Sequence, residues 1–389
     1  MFSPLLDNKV QDFIRQHQRS DLAKLALQKN PFPEIPFLKL LDQISGLSKA
    51  SEKLPAWHGV AGILYPRKVQ LEQASSQATA IYKAGLISGG TLIDLTGGFG
   101  VDDAMFAKNF DEVTHCELDG ELSRIVSHNL VLLGIDNVRC EIGDGLQILR
   151  SRPEWDYIYV DPSRRNEQKG KVFLLSDCAP NVPELLDEYF TRSKRVLVKA
   201  SPIMDISAAV AQLKHVSDIH IVALNNEVRE ILFDLQKGSE SYNIRTVNLG
   251  TPQPAWSFDP REEIEAPLSP PLQYLYEPNP AIMKSGGFGP LSRDYGLPKL
   301  HRHSHLFTSD RIVDFPGRVF RIDRTIEFDK KGQKELAQLK KANVAARNFP
   351  LDVASLRKRF KIADGGDVYC FFTTGLNEKK IALICSKIG

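Results

Sequence analysis

From about Thr91 onward the chain alternates short apolar runs with stretches of helical period, and this alternation restricts the fold more than any other feature. An apolar run too short for a helix, then a helical stretch, then another run, is the pattern of a parallel sheet covered by helices on both faces. Seven runs qualify, at residues 92–95, 113–117, 138–141, 157–160, 195–199, 219–224 and 242–248. They predict an α/β chain built on one doubly wound, seven-stranded, Rossmann-like sheet.

A helical segment precedes the sheet. Ser3 is a candidate cap and Pro4 suits a first helical position, while Val10, Phe13, Leu22, Leu25 and Leu27 recur near helical spacing. Pro31, Pro33 and Pro36 interrupt the run; helices are expected again at 37–47 and 72–84, the second with Ala74, Ala78 and Ile81 on one side. Eight prolines between residues 250 and 280 predict a linker or boundary. Beyond it, residues 318–328 alternate as a strand with Phe320, Ile322, Ile326 and Phe328 on one side. Residues 330–346 and 351–360 read as helices, and 368–374 with 380–386 as a closing hairpin. The expected division is 1–66 helical, 67–255 the sheet domain, 256–317 a linking segment and 318–389 a small α+β unit.

Residues 91–102 place a strand, a glycine-dense turn and then a helix, with Asp102 or Asp103 available as its N-cap. Glycine in such a turn lets a ligand approach the backbone where a Cβ would collide with it. A dinucleotide loop wants G-x-G-x-x-G, so that pyrophosphate meets the helix N-terminus. Gly98 and Gly100 match, but the third position is Asp103, whose charge would repel a pyrophosphate and tolerate the ammonium of a methionine moiety. The expected cofactor is therefore S-adenosylmethionine.

Further acids follow in order. Asp94 closes the first strand, and the second ends in Glu117-Leu118, where a carboxylate can accept both ribose hydroxyls. After the third comes Gly143-Asp144-Gly145, where Asp144 can take a hydrogen bond from an adenine amino group or cap a helix. The fourth runs into Asp161-Pro162-Ser163-Arg164-Arg165, at the strand end where open α/β sheets gather their ligands. Asp161 is thus aimed at the reacting centre.

The ordered set Asp94-x-x-x-Gly98-x-Gly100, Glu117, Asp144, Asp161-Pro162 resembles the class I methyltransferases, over roughly residues 65–250. More narrowly, four strings resemble a family of bacterial methyltransferases that carry a ferredoxin-like segment and a THUMP-like domain at the C-terminus. They run from Glu72 to Thr79, Asp161 to Arg165, Glu277 to Met283 and Arg347 to Pro350. The resemblance implies that Asp94, Thr96, Gly97, Gly98, Phe99, Gly100, Glu117, Leu118, Asp144, Gly145 and Asp161 surround the cofactor. It also implies that Asp161, Pro162, Ser163 and Arg164 serve catalysis on a base nitrogen of a structured RNA, tRNA or rRNA.

In enzymes that methylate exocyclic amines the motif is an acid or amide, two prolines and an aromatic residue. The acid and the following carbonyl accept the two amine hydrogens and turn the nitrogen lone pair toward the methyl. Here Ser163 replaces the second proline and Arg164 the aromatic residue, and an arginine plane can stack on a base or pair with a phosphate. Thr96 stands where class I enzymes usually carry glycine. Lys199-Ala200-Ser201-Pro202 supplies no cysteine nucleophile, which disfavours methylation of a pyrimidine carbon. The competing readings are a protein or small-molecule acceptor, or a cofactor-binding RNA-binding protein without catalysis.

The net charge of +2 hides an uneven distribution: residues 321–361 carry 12 Lys or Arg against 5 Asp or Glu. Lys330, Lys331, Lys334, Lys340, Lys341, Arg347, Arg357, Lys358, Arg359 and Lys361 offer a surface suited to phosphates, and THUMP-like domains are associated with RNA. Phe349, Phe360 and Phe371 read as packing. His301-x-His303-x-His305 has no Cys or Asp pair to complete a metal shell, so no metal is expected. The five cysteines are scattered without a CxxC pair and read as reduced core residues. The first residues carry no basic n-region or apolar h-region, and no long apolar stretch follows, so a cytoplasmic protein without a membrane partner is expected. The sequence does not set the oligomeric state.

Overall fold

The computed structural model describes residues 2–164 and 174–388. They divide into two compact units, 1–217 with 231–241 and 218–230 with 242–389.

The first unit is built on β1 (Gly89–Asp94), β2 (Phe110–Glu117), β3 (Val138–Ile142), β4 (Tyr157–Val160) and β5 (Arg195–Ala200). All pair in parallel, in the order β3-β2-β1-β4-β5. The chain winds outward from β1 in both directions, so right-handed crossovers put successive helices on opposite faces. That reversal opens a crevice at the carboxyl ends of β1 and β4. Strand Glu227–Gln236 runs antiparallel along β5 through its residues Ile231 to Gln236. It is absent from the seven expected strands because Glu227, Arg229, Glu230 and Asp234 interrupt its apolar run. Asp234 becomes tolerable beside β5, where Arg195 reaches it at 2.7 Å.

The N-terminal helices differ in detail from expectation. Ser3 lies inside a short 3-10 turn, and Asp7 caps Asn8–Gln16 by accepting the Lys9 amide. The helix expected at 72–84 is two helices, Lys68–Gln73 and Gln77–Ala84, with Ser76 capping the second. Its buried residues are Thr79, Ala80, Lys83 and Ala84, while Ile81 is half exposed. The reason is electrostatic: Lys83 has a buried carboxylate to meet.

In the second unit Val216–Leu224 pairs in parallel with Asn243–Leu249, which pairs antiparallel with Trp256–Phe258. A separate six-stranded sheet runs in the order Phe307–Ser309, Tyr274–Pro278, Gly317–Glu327, Lys380–Ile388, Val368–Thr374, Asn343–Arg347. A bulge between Ile322 and Arg324 sends Phe320 into one core and Ile326 into another, so the four residues expected on one side divide between two. The helix expected at 330–346 stops at Leu336, and Asn343–Arg347 is an edge strand parallel to Val368–Thr374. Its Ala345 and Ala346 pack into opposite cores, which a strand permits and a helix does not. Helix Val353–Phe360 and the closing hairpin follow the sequence reading.

All five cysteines are free, and all but Cys140 are buried. Among the described residues no helix is long and apolar enough to cross a membrane.

Candidate active site

The loop after β1 uses its glycines in two ways. A Cβ on Gly97 would lie 2.2 Å from the His115 ring, and one on Gly100, whose φ is +70°, 2.5 Å from Val126. These two are required by the packing of the chain itself. Gly98, with φ of +55°, has no atom nearer than 3.7 Å to such a Cβ, and its N–H donates to Glu117 Oε2 at 3.0 Å. The expectation that glycine keeps a ligand's path clear therefore applies to Gly98. Phe99 is buried against Trp57, ring centres 5.1 Å apart. Gly145 lies under Leu95, whose carbonyl oxygen a Cβ would meet at 2.6 Å.

Thr96 has its side chain engaged within the loop. Its amide (2.7 Å) and hydroxyl (3.1 Å) both donate to Asp94 Oδ1, and its Oγ1 accepts the Asp161 amide at 2.7 Å. A glycine here could not tie the end of β1 to the end of β4.

Asp102 and Asp103 do not cap the following helix, Val101–Phe106; Gly100 takes that position and both acids are buried in its first turn. Asp103 Oδ2 meets His115 Nδ1 at 2.7 Å. Burial, then the nearby Asp102 charge, push the Asp103 carboxyl well above the usual range, and burial with Asp103 does the same to Asp94. Burial holds the His115 imidazole below its usual value, hence neutral. Asp103 thus ionises less readily than its residue type implies, which weakens the repulsion of a pyrophosphate expected from it.

Asp102 behaves oppositely. Burial alone would raise its pKa, but the charges of Lys83 and Lys199 and hydrogen bonds from Ser75 and Tyr159, each 2.8 Å, hold it below the ordinary range. Lys83 is fully buried, 3.3 Å from Asp102 Oδ1, and donates to Ser75 Oγ at 3.0 Å. The string from Glu72 to Thr79 thus supplies Ser75, which pins the helical segment to the loop's helix.

At the end of β2, Glu117 accepts the Gly98 amide through Oε2 and the Asp119 amide through Oε1 at 2.7 Å. Leu118 is 75% exposed, and Ile142, whose backbone pairs with Glu117 across the β2–β3 ladder, is 52% exposed. Asp144 caps helix Gly145–Leu149, accepting the Leu146 amide at 2.8 Å through Oδ1. An open glycine, a carboxylate beside it and exposed apolar side chains at neighbouring strand ends combine hydrogen-bond acceptors with apolar surface, the chemistry a small polar-apolar ligand requires. Ile142 escaped the sequence reading, although an isoleucine ending a strand just before Gly-Asp-Gly was the available sign.

Asp161 is half-buried at the end of β4, its backbone held by Thr96 and its Oδ2 accepting from Lys199 Nζ at the end of β5. Pro162 is buried, and Ser163 and Arg164 form a short antiparallel ladder with Ala179 and Cys178. Arg165 and the Arg164 side chain lie outside the described residues. Sequence reasoning missed Lys199, whose signal is a lone lysine in an otherwise apolar strand, Val196 to Ala200. A cavity of about 320 Å³ lined by Thr114, Arg139, Glu141, Arg152 and Trp155 among others includes none of these site residues.

In the second unit three motifs meet. Glu277, 3% exposed, accepts Arg318 Nε at 2.8 Å and Arg347 at 2.7 Å. His301 is buried; its Nδ1 accepts the His303 amide (3.1 Å) and Asn348 Nδ2 (3.0 Å), which leaves Nε2–H to donate to Glu378 at 2.8 Å. The histidines and the strings at 277 and 347 thus form one joint. Arg347 and Arg357 are drawn into ion pairs, with Glu277 and Asp364. Lys330, Lys331, Lys334, Lys340, Lys341, Lys358 and Lys361 are exposed, as a basic surface requires. Phe360 and Phe371 are buried residues of two different cores, and Phe349 packs against that of Phe360.

The family described as a ferredoxin-like domain matches residues 274–316, and that described as THUMP domain-like matches 317–387. The crystal structure of a candidate methyltransferase from Porphyromonas gingivalis W83 is similar over the whole length. It is 31% identical, covers 100% of this chain and 99% of that chain, and has a TM-score of 0.89. TrmK of M. capricolum, in complex with S-adenosyl-homocysteine, aligns at 12% identity over 43% of this chain and 70% of its own, TM-score 0.32. A candidate RNA methyltransferase of Pyrococcus horikoshii aligns at 22% over 38% of this chain and 71% of its own, TM-score 0.27. No curated protein matches the chain.

Proposed function

This chain belongs to the bacterial class I, S-adenosylmethionine-dependent methyltransferases that end in ferredoxin-like and THUMP-like domains, and on that premise we propose that it methylates a base nitrogen in a structured RNA, tRNA or rRNA. The observation that carries the reading is Asp161. It stands at the end of β4 with its backbone fixed by Thr96 and one carboxylate oxygen on Lys199, while Oδ1 accepts no hydrogen bond among the described residues. A carboxylate so placed can accept an amine hydrogen, keep the nitrogen lone pair directed, and take the proton that the nitrogen sheds after bonding to the methyl.

Gly98, Glu117, Leu118, Ile142 and Asp144 would hold the cofactor, and when bound it supplies an electrophilic sulfonium methyl. The exposed lysines of 330–361 support an RNA acceptor, since phosphate binding draws on just such unpaired cations. Transfer of labelled methyl to total RNA and not to protein is the expected result. RNA from a strain lacking the gene should miss one methylated nucleoside by mass spectrometry. Asp161→Ala should lose transfer and keep cofactor binding; loss of neither transfer nor nucleoside would defeat the reading.

A further inference from the structure

Four charged side chains alternate in sign behind the site: Lys83, Asp102, Lys199 and Asp161. Asp102 is held by Lys83, Ser75 and Tyr159 and is ionised. The Lys199 side chain is 12% exposed; its Nζ contacts Asp161 Oδ2, and its charge is one of those that lower the Asp102 pKa. An ammonium with so little solvent needs opposite charge nearby, and here two carboxylates provide it.

From this geometry we infer that Lys199 is a positioning residue for the methyl transfer, fixing the Asp161 carboxylate so that Oδ2 is engaged and Oδ1 is left to the target amine. The inference rests on the base-nitrogen reading above. Nothing in the class I motif order marks this residue. Without Lys199, Asp161 would keep its backbone bond to Thr96 but lose the partner that sets the rotation of its carboxylate. Misplacement of a reacting group by about 1 Å costs on the order of 10²-fold in rate. The opposing possibility is that Lys199 serves only as a counter-ion for Asp102 and the fold.

A double-mutant cycle separates the two, read as kcat on RNA together with S-adenosylhomocysteine affinity by calorimetry. Lys199→Met should lower kcat by about 10²-fold with little change in that affinity, and Lys199→Arg should recover about tenfold. In an Asp161→Asn background, where the attraction is already gone, Lys199→Met should cost nothing further, because the two act as one unit. Losses that multiply across the cycle, or a Lys199→Met enzyme within about threefold of the unaltered one, overturn the inference. Should Lys199→Met fail to bind S-adenosylhomocysteine, Lys199→Gln and Lys199→Arg carry the same cycle. If the unaltered enzyme moves no methyl to RNA, the base-nitrogen reading falls and this role with it; an active enzyme indifferent to Lys199 refutes this role alone.

Discussion

The strand ends of the first unit and the lysine-rich surface of the second use charge in opposite ways. Lys83, Asp102, Lys199 and Asp161 are buried or half-buried and paired, whereas Lys330, Lys331, Lys334 and Lys358 lie exposed with no ion-pair partner among the described residues. Buried pairs fix geometry, and each is costly to break. Exposed charges are individually weak, screened by salt, and matter as a sum. A site that must align atoms is built from the first kind; a surface that must hold a polyanion is built from the second.

The largest effect expected on stability is at Asp102. Asp102→Asn strands the fully buried Lys83 ammonium, and urea unfolding should show a loss of about 3–5 kcal/mol. A loss below about 1 kcal/mol would show that Lys83 finds other compensation and would blur the contrast between the regions. Next comes a buried group of the second unit, which tests whether burial rather than location sets the scale. His220 is held at about 4 by burial, against 6.5 in an unfolded chain. It stays neutral when folded while the unfolded chain takes up a proton, so its contribution is present above pH 6.5 and lost as pH falls toward about 4. The contribution is about 3 kcal/mol, and His220→Asn should flatten the pH dependence of the melting temperature across that window.

A smaller effect is expected at Gly97→Ala, where the new methyl meets the His115 ring, at about 1–3 kcal/mol by thermal melting. Gly98→Ala should act differently, weakening S-adenosylhomocysteine binding through its positive φ and the open space it fills. Smallest in stability is the triple change Lys330, Lys331 and Lys334 to Gln, within about 0.5 kcal/mol. The same variant should bind RNA more weakly, with its salt slope reduced by about 0.7–0.9 for each phosphate that is no longer neutralised. An unchanged slope would remove this surface from RNA binding.

Much of the frame was readable from the chain. The seven apolar runs all appear as strands, and the acids at positions 94, 117, 144 and 161 all stand at strand ends or just beyond, because period and punctuation are local properties. What was not readable required partners distant along the chain. Strand Glu227–Gln236 buries Asp234 beside Arg195 of β5, 39 positions away. The bulge at Ile322 and Arg324 reassigns Phe320 and Ile326 to different cores, and a bulge leaves no mark on simple alternation. Lys199 looked like one charge in an apolar strand, and its meaning came from Asp161, 38 positions away.

Sequence alone therefore determined the fold class, the order of the strand-end acids and the basic character of the C-terminal unit, since these depend on residue type and spacing. Tertiary structure alone decided how readily each acid ionises. Asp102 and Asp103 are adjacent and chemically identical, yet the carboxyl of the first is held below the ordinary range beside Lys83 while burial and the Asp102 charge push the second well above it. Protonation in an interior is set by the dielectric and by neighbouring charges, and neither is a property of the residue itself.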